Sequence, residues 1–393
     1  MGQSNRIVTS RGCTGALFRP ASLVAALLTW KAHSPMATSK TGSTAHDLVA
    51  ALPDSPSSYP QKLDLVRGTV LLVGFDEEAY RAASFLDDRV LGPSTQGVWL
   101  ALDRAVAAAQ RGACARPLHY ILHTGHVGST LVSRLLDTTG TVLPLREPLP
   151  LRTLAEASDA LGQQDSLLDE SRFERVFDAF VALWRRGYPS TRSVVLKATS
   201  AAARLAPRML GRDPGARAIC LNLRAEPYLA TLLAGPNSTL DLRGHGPERM
   251  RRLLRRLGPE RLPFLHTLSP GELAAMSWLA ETLTQHDALA LAPDRVLAVD
   301  FDALLGDVSG SMARIAAHLQ VQAPPHWAEG LASNPALTRY SKSPEHEYSP
   351  ALRAQVLEQA RREHAVELRR GIEWLAALAR AEPAVARVAG ASL

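Results

Sequence analysis

The chain has 393 residues, of which 46% are hydrophobic, so it can bury a large core in one big α/β domain or in two domains. Its formal net charge of +6 suits an anionic ligand, although only five of the 44 basic residues are lysines. Nucleic acid is not expected as a partner, because no helix-turn-helix, zinc-finger or RNA-binding pattern accompanies the charge. The three cysteines (Cys13, Cys114 and Cys220) form no CxxC pair, which indicates neither a disulfide framework nor a zinc site and favours a reducing, cytoplasmic compartment.

Residues 1–45 are predicted to form a leader outside the folded part of the chain. Three arginines precede an apolar run over residues 21–30, which is too short to span a bilayer. Three interpretations stay open: translation that begins at Met36, a secretory signal peptide, or a disordered arm. No later segment is apolar for long enough to serve as a membrane anchor.

Residues 46–115 are predicted to be a lead-in that covers one edge of a sheet. The β-branched and leucine-rich run at 69–73 predicts a strand, and VWLALDRAVAAAQR at 98–111 predicts a helix. We interpret Asp87, Asp88 and Arg89 as a solvated surface cluster, and we expect no chemistry in this part of the chain.

The central stretch is HYILHTGHVGSTLVSRLLD, which begins at His119. It predicts a buried strand at 119–123, a glycine turn at 124–129, and a helix whose leucines recur at helical spacing. Such a turn directs backbone N–H groups and the positive end of a helix dipole at one point, as a phosphate or sulfate requires. Ser129 and Thr130 are expected to act as N-cap hydroxyls that can also donate to the anion.

The turn does not match the nucleotide-binding pattern G-x-x-x-x-G-K-[ST]. Gly125 and Gly128 are three positions apart, and His126 is the only basic residue between the strand and the helix. This argues against a standard ATPase or GTPase. A tight strand-to-helix turn without a ligand is the structural alternative.

Two charged residues follow later apolar strands. Glu147 comes after the strand at 142–145 and before a proline, so we expect an extended backbone and a carboxylate at the ligand-binding rim of the sheet. An ion pair of Glu147 with Arg146 or Arg152 is the alternative. Lys197 ends the strand SVVLK, where a buried ammonium needs an anion nearby. We expect Lys197 to face the anion site, and a structural pair with a helix C-terminus is the alternative.

A third strand is predicted at 217–223. Arg224 follows it and can bind a phosphate through two parallel hydrogen bonds, and the hydroxyl of Thr231 lies in the next helix. Apolar strands that alternate with helices predict an α/β fold, with a doubly wound and mainly parallel sheet, over residues 116–393.

The segment HTGHVGSTLVSRLLD resembles the 5′-phosphosulfate loop of the sulfotransferases, particularly the bacterial and tyrosylprotein-type enzymes. The strand that ends at Arg224 resembles their 3′-phosphate segment. It departs from the family pattern, because Ala225 and Glu226 replace an aspartate and Thr231 falls one position early. The resemblance implies a P-loop-NTPase-like architecture and sulfuryl transfer from 3′-phosphoadenosine 5′-phosphosulfate (PAPS) to the hydroxyl of a small molecule, glycan or peptide, with no metal.

The resemblance also implies roles for individual residues. The donor would be bound by Thr124, Gly125, His126, Val127, Gly128, Ser129, Thr130, Arg224 and Thr231. His126 stands where the family has lysine or arginine, and Lys197 could supply the cation if the imidazole is neutral. Glu147 stands at the place of the base in the tyrosylprotein enzymes. The alternatives are an ATP-dependent small-molecule kinase and a non-catalytic nucleotide-binding protein, and the oligomeric state is left open.

The remaining patterns give weaker expectations. The arginines at 243, 249, 252 and 256 are interpreted as a solvated helix face or, alternatively, as the lining of a substrate path. Asp300 and Asp302 are expected to be helix caps rather than metal ligands. The polar loop with Lys342, His346 and Tyr348 could close over the nucleotide, and a single long helix is predicted at 351–381.

Overall fold

The computed structural model describes residues 44–390, except 94, 114, 236, 237 and 342. The predicted leader therefore lies outside the described residues, apart from its last two positions, and so does Lys342. No helix in the described part of the chain has the length and apolar composition needed to cross a membrane.

The lead-in is an antiparallel meander with short helices. It comprises α1 (Ala45–Ala51), β1 (Ser58–Asp64), β2 (Thr69–Gly74), α2 (Glu77–Ala82), β3 (Gly97–Ala101) and α3 (Leu102–Ala109), with sheet order β1-β2-β3. The predicted strand at 69–73 is confirmed. The predicted helix at 98–111 is wrong in its first turn, because residues 97–101 pair with β2. Strand β1 was not predicted, since Pro60 interrupts its pattern and sits at an irregularity in the pairing.

A five-stranded parallel sheet forms the centre of the molecule. Its strands are β4 (Leu118–His123), β5 (Val142–Arg146), β6 (Ser193–Lys197), β7 (Ala218–Asn222) and β8 (Val296–Asp300), in the order β5-β6-β4-β7-β8. All four neighbouring pairs are parallel, which confirms the predicted sheet. Strand β4 is central and buried at every residue, so the loop that follows it emerges in the middle of the carboxyl rim.

Helices cover both faces of this sheet. Those between the strands are α4 (Ser129–Asp137), α5 (Leu149–Ala160), α6 (Glu170–Trp184), α7 (Ala206–Arg212), α8 (Ala225–Leu233), α9 (Ser238–Leu257) and α10 (Pro270–Leu291), with a 3-10 helix at Ser200–Leu205. After β8 come α11 (Phe301–Gly306), α12 (Val308–His318), α13 (Trp327–Gly330), the hairpin β9 (Arg339–Tyr340) and β10 (Ser343–Glu347), α14 (Pro350–Glu363), α15 (Ala365–Ala381) and α16 (Pro383–Ala389). The central layer is therefore a doubly wound, parallel α/β sheet.

The core divides at the sheet. Side chains alternate across β4, so Tyr120 and Leu122 belong to one hydrophobic cluster and Ile121 to the other. The first cluster also contains lead-in residues such as Leu48, so the lead-in and the sheet share a core. The predicted domain boundary at residue 115 therefore does not coincide with a break in the hydrophobic core.

The long helix predicted at 351–381 is wrong, because the chain forms two helices that meet at His364. The second of them approaches α10 so closely that a Cβ on Gly371 would lie 2.5 Å from the carbonyl oxygen of Gly271. The break lies at His364, which has φ and ψ angles of −113° and 23°, outside the helical region.

Candidate functional site

The anion loop, which we define as residues 124–130, joins β4 to α4 through a strained turn. Three of its residues have positive φ angles: 94° at Gly125, 55° at His126 and 71° at Gly128. Helix α4 begins at Ser129 with Gly128 as its N-cap. The prediction that Ser129 and Thr130 are N-caps is therefore wrong, since both lie inside the first helical turn.

Gly128 is required at its position for two reasons. Its φ angle favours glycine, and an added Cβ would lie 2.0 Å from the ring of Phe301 at the start of α11. The loop is therefore fixed against the element that follows β8. This contact holds the first turn of α4 in place at the rim.

Two amides of the loop are already engaged within the fold. The N–H of Thr124 donates to the carbonyl oxygen of Leu221 (3.3 Å), and the N–H of Gly125 donates to Nδ1 of His123 (3.0 Å). Helix geometry leaves the N–H groups of the first turn of α4 without an intrahelical partner. Any anion bound here would thus meet the amides at the start of α4, not those of Thr124 and Gly125.

A cavity opens beside the loop. Its lining combines loop residues 126–130 with Thr231 of α8, the hairpin residues Arg339 and Tyr340, Tyr348, and Arg353 of α14. Two hydroxyl groups in this lining are buried and have no hydrogen-bond partner among the described residues: Oγ1 of Thr130 and the phenol oxygen of Tyr348. Burial raises the pKa of Tyr348, so its phenol stays protonated and can donate. The cavity therefore offers unused donors beside a helix N-terminus.

The two predicted phosphate residues of α8 differ in their surroundings. Thr231 lines the cavity, and its hydroxyl donates to the carbonyl oxygen of Pro227 (2.7 Å). Arg224 is the exposed N-cap residue of α8, seven positions earlier, which places it about two turns away on the same side of the helix. Tyr228, between them, donates to the carbonyl oxygen of Thr124 (3.0 Å), so this side of α8 faces the anion loop.

A charged cluster lies at the ends of three neighbouring strands. Lys197 of β6 is fully buried, and its ammonium contacts Oε1 of Glu147, which follows β5. Nε2 of His123, the last residue of β4, is 3.9 Å from the same oxygen. Glu147 thus supplies an anion for the buried ammonium of Lys197.

Glu147 differs from its predicted conformation. Its φ angle is 58°, so the backbone is left-handed, not extended as the following proline suggested. The N–H of Glu147 donates to the carbonyl oxygen of Lys197 (2.7 Å), which turns the carboxylate toward β6. Non-glycine residues adopt this region at a cost and cluster at functional sites.

The two predicted arginine partners of Glu147 make ion pairs with other carboxylates. Arg146 has no exposed side-chain surface, and it bonds Asp137 (3.1 Å), Ser133 (3.0 Å) and the carbonyl oxygens of Tyr80, Arg81 and Ala83. Arg152 pairs with Glu156 on its own helix (3.2 Å). The carboxylate therefore belongs to the Lys197 cluster.

The lead-in reaches the charged cluster, which the sequence did not predict. The guanidinium of Arg89 lies 3.4 Å from the ring centroid of Phe85, and the ammonium of Lys197 lies 5.5 Å from the same centroid. The N–H of Leu86 donates to the carbonyl oxygen of Arg146 (2.7 Å), and the N–H of Leu149 donates to the carbonyl oxygen of Leu86 (3.3 Å). These two bonds fix the segment beside Glu147. Arg89 also donates through Nε to Oδ1 of Asp87 (2.6 Å) and is partly exposed, so the interpretation of Asp87, Asp88 and Arg89 as a surface cluster stays a prediction.

The arginines of α9 have structural partners. Arg249 and Arg252 bond the buried Glu281 at 3.0 and 2.9 Å, and Arg256 pairs with Asp287. Burial alone would raise the pKa of Glu281, but the two guanidiniums outweigh it and lower that pKa. Arg249 and Arg252 are thus neither a solvated face nor a free path lining, and Arg243 is exposed.

The two aspartates after β8 have different roles. Asp300 is the N-cap of α11, as predicted, and accepts from the N–H of Ala303 (2.8 Å). Asp302 is not a cap, because it pairs with Arg353 (2.8 Å). This pair fixes one of the two arginines that line the cavity.

The fold and the site define an α/β protein with a glycine-containing strand-to-helix loop at the centre of a doubly wound parallel sheet. No protein-family model matches the chain, and no curated protein matches it. Among solved structures it is similar to the sulfotransferase domain from the curacin biosynthetic pathway, at 13% identity and a TM-score of 0.36, over 64% of this chain and 99% of that one. It is also similar to the sulfotransferase from Alicyclobacillus acidocaldarius, at 15% identity and a TM-score of 0.34, over 67% and 96%.

A further match is retinol dehydratase in complex with androsterone and the inactive cofactor PAP, at 14% identity and a TM-score of 0.31, over 70% of this chain and 88% of that one. Because the identities and TM-scores are low, the function proposed below rests on the geometry of the site.

Proposed function

We propose that the chain is a sulfotransferase that transfers a sulfuryl group from PAPS to a hydroxyl-bearing acceptor. The observation that carries the proposal is the shared cavity, which is lined both by the anion loop and by Thr231. PAPS has a phosphosulfate on one side of its ribose and a phosphate on the other. A protein that binds it needs two anion sites that open onto one space.

The anion loop would bind the 5′-phosphosulfate. The amides of residues 127–130, the dipole of α4 and the buried hydroxyl of Thr130 all favour negative charge at this point. Thr231 and Arg224 would bind the 3′-phosphate, since both lie on the side of α8 that faces the loop. The hairpin would cover the nucleotide through Arg339 and Tyr340, which supports the expectation that this polar loop closes over it.

The transfer step follows from the chemistry of the groups. The acceptor hydroxyl attacks sulfur, and its proton passes to a carboxylate oxygen of Glu147. The new bond between the acceptor oxygen and sulfur forms while the bond from sulfur to the bridging oxygen breaks, in line. Adenosine 3′,5′-bisphosphate leaves with the bonding electrons, and no metal takes part. Positioning and electrostatic stabilisation supply most of the rate enhancement in such transfers.

The structure favours different roles for the two cationic candidates. His126 lines the cavity within the loop, where its imidazolium could stabilise charge on the bridging oxygen. Lys197 bonds Glu147 and is fully buried, so we propose that it orients the base and balances its charge instead of contacting the donor. A cytoplasmic location remains part of the proposal and rests on the cysteine pattern alone.

Calorimetric titration with adenosine 3′,5′-bisphosphate, ATP plus Mg²⁺, and AMP tests the proposal. We expect the bisphosphate to bind most tightly, and Arg224→Ala to weaken it by at least tenfold, as the loss of a charged hydrogen bond predicts. Arg192→Ala is the matched control, because this exposed arginine lies just before β6, at the amino-terminal end of the strands and thus opposite the carboxyl rim. Equal binding of all three nucleotides would contradict the proposal, and a Mg²⁺-dependent preference for ATP would indicate a kinase.

Binding alone does not separate an enzyme from a non-catalytic nucleotide-binding protein. Release of adenosine 3′,5′-bisphosphate from PAPS should therefore be followed with phenols, sugars and tyrosine peptides as acceptors. We expect Glu147→Gln to abolish release while it leaves bisphosphate binding in place. Tight binding with no release for any acceptor would favour the non-catalytic alternative.

A further inference from the structure

His123 is the last residue of β4, and its ring is held between the anion loop and the proposed base. The residue is 5% exposed. Its Nδ1 accepts a hydrogen bond from the N–H of Gly125 (3.0 Å). Because an amide N–H is only a donor, Nδ1 carries no proton in this arrangement.

The other ring nitrogen faces the charged cluster. A neutral imidazole whose Nδ1 is an acceptor carries its hydrogen on Nε2. Nε2 is 3.9 Å from Oε1 of Glu147, the oxygen that Lys197 also contacts. The ring thus presents an N–H to the carboxylate on one side and a lone pair to the loop on the other.

We infer that His123 is a positioning residue that couples the anion loop to the proposed base. The acceptor at Nδ1 holds Gly125 at its φ angle of 94°, and this angle sets the direction in which the loop enters α4. The inference rests on the proposed function for its effect on nucleotide binding. The hydrogen bond itself can be tested without any nucleotide.

Two isosteric substitutions separate the two sides of the ring. In His123→Asn, the amide oxygen can take the place of Nδ1 and accept from Gly125, but nothing reaches toward Glu147. In His123→Gln, the amide group lies nearer the position of Nε2, and the acceptor for Gly125 is lost. His123→Ala removes both contacts.

Hydrogen exchange, measured by mass spectrometry on peptides that contain Gly125, gives the first measurement. We expect exchange at Gly125 to be about five- to tenfold faster in the Gln and Ala variants, as the loss of one hydrogen bond of about 1 kcal/mol predicts. The Asn variant should exchange within about twofold of the wild type, because its amide oxygen replaces the acceptor. Thermal melts of all three variants report folding.

Titration with adenosine 3′,5′-bisphosphate gives the second measurement. The Gln and Ala variants should bind about five- to tenfold more weakly, and Asn should restore most of the affinity. Equal effects of Asn and Gln on exchange would overturn the inference, since a residue that only fills space does not distinguish them. If the exchange pattern holds but the wild type does not bind the bisphosphate, the proposed function fails and the coupling to Gly125 stands.

Discussion

The hydroxyl of Thr130 allows ligand binding and stability to be separated by one substitution. Thr130 is 2% exposed, and its Oγ1 has no hydrogen-bond partner in the described part of the protein. Thr130→Val keeps the shape of the side chain and removes only this polar atom. An unsatisfied buried hydroxyl costs about 1–3 kcal/mol, so the variant without ligand should be more stable than the wild type by about 1 kcal/mol.

The same substitution should weaken the binding of an anion. A hydrogen bond to a charged group contributes about 1.5–3 kcal/mol, so the dissociation constant of adenosine 3′,5′-bisphosphate should rise by at least tenfold. Urea denaturation and calorimetric titration measure the two effects. If Thr130→Val is less stable than the wild type and binds the bisphosphate equally well, the hydroxyl has a protein partner and the cavity is not the anion site.

Thr139 provides the matched control on the same stretch of chain. It is also buried, at 5% exposure, but its Oγ1 donates to the carbonyl oxygen of Leu136 (2.8 Å) beyond the other end of α4. Thr139→Val should therefore destabilise the protein by at least about 1 kcal/mol, because it removes the donor to Leu136 and the acceptor of the Thr141 N–H (3.3 Å). Its affinity for the bisphosphate should not change.

Three further substitutions test other parts of the site. Gly128→Ala should destabilise the protein by about 2–4 kcal/mol in urea melts, because the new methyl group meets the ring of Phe301; Gly128→Ala as stable as the wild type would refute this packing. Lys197→Met and Glu147→Gln should each lower the free energy of unfolding by about 3–5 kcal/mol, because each leaves the other charge buried without its partner. The double variant should be more stable than either single variant, and strictly additive losses would refute the ion pair. Burial lowers the pKa of His119 to about 4, so between pH 6.5 and 4 the unfolded chain binds more protons than the folded protein. Acidification over this range should therefore remove about 3 kcal/mol of stability, and His119→Asn should abolish that loss. If the variant loses stability with pH as steeply as the wild type, other groups cause the loss.

The parallel sheet could be predicted because its strands are local signals. Each is a continuous apolar run bounded by turn residues, and the runs at β4, β6 and β7 lie within one or two residues of the predicted positions. The meander was harder to predict. Strand β3 has a composition that suits a helix equally well, and only its pairing with β2 decides between them.

The candidate site likewise has a part that could be predicted from the sequence and a part that could not. The anion loop was predictable, because a strand, a glycine turn and a helix follow one another directly in the chain. The pair of Glu147 and Lys197 was not, since its members are 50 positions apart and each had a plausible local partner. The role of His123 depends on the positive φ angle of Gly125, and sequence alone does not report that angle. Phe85 was overlooked because nothing in the lead-in sequence marks it as close to β6.

The guanidinium of Arg146 has a consequence for where the chain can be cut. Three of its partners are the carbonyl oxygens of residues 80, 81 and 83. The buried charge of Arg146 therefore depends on a segment that lies more than thirty residues before the first strand of the parallel sheet. A fragment that starts at residue 116 would keep the cation and lose these oxygens, one residue before the carboxylate proposed as the base. Truncation for crystallisation or for a minimal enzyme should therefore spare the meander, which completes the electrostatic environment of the rim as much as it covers the edge.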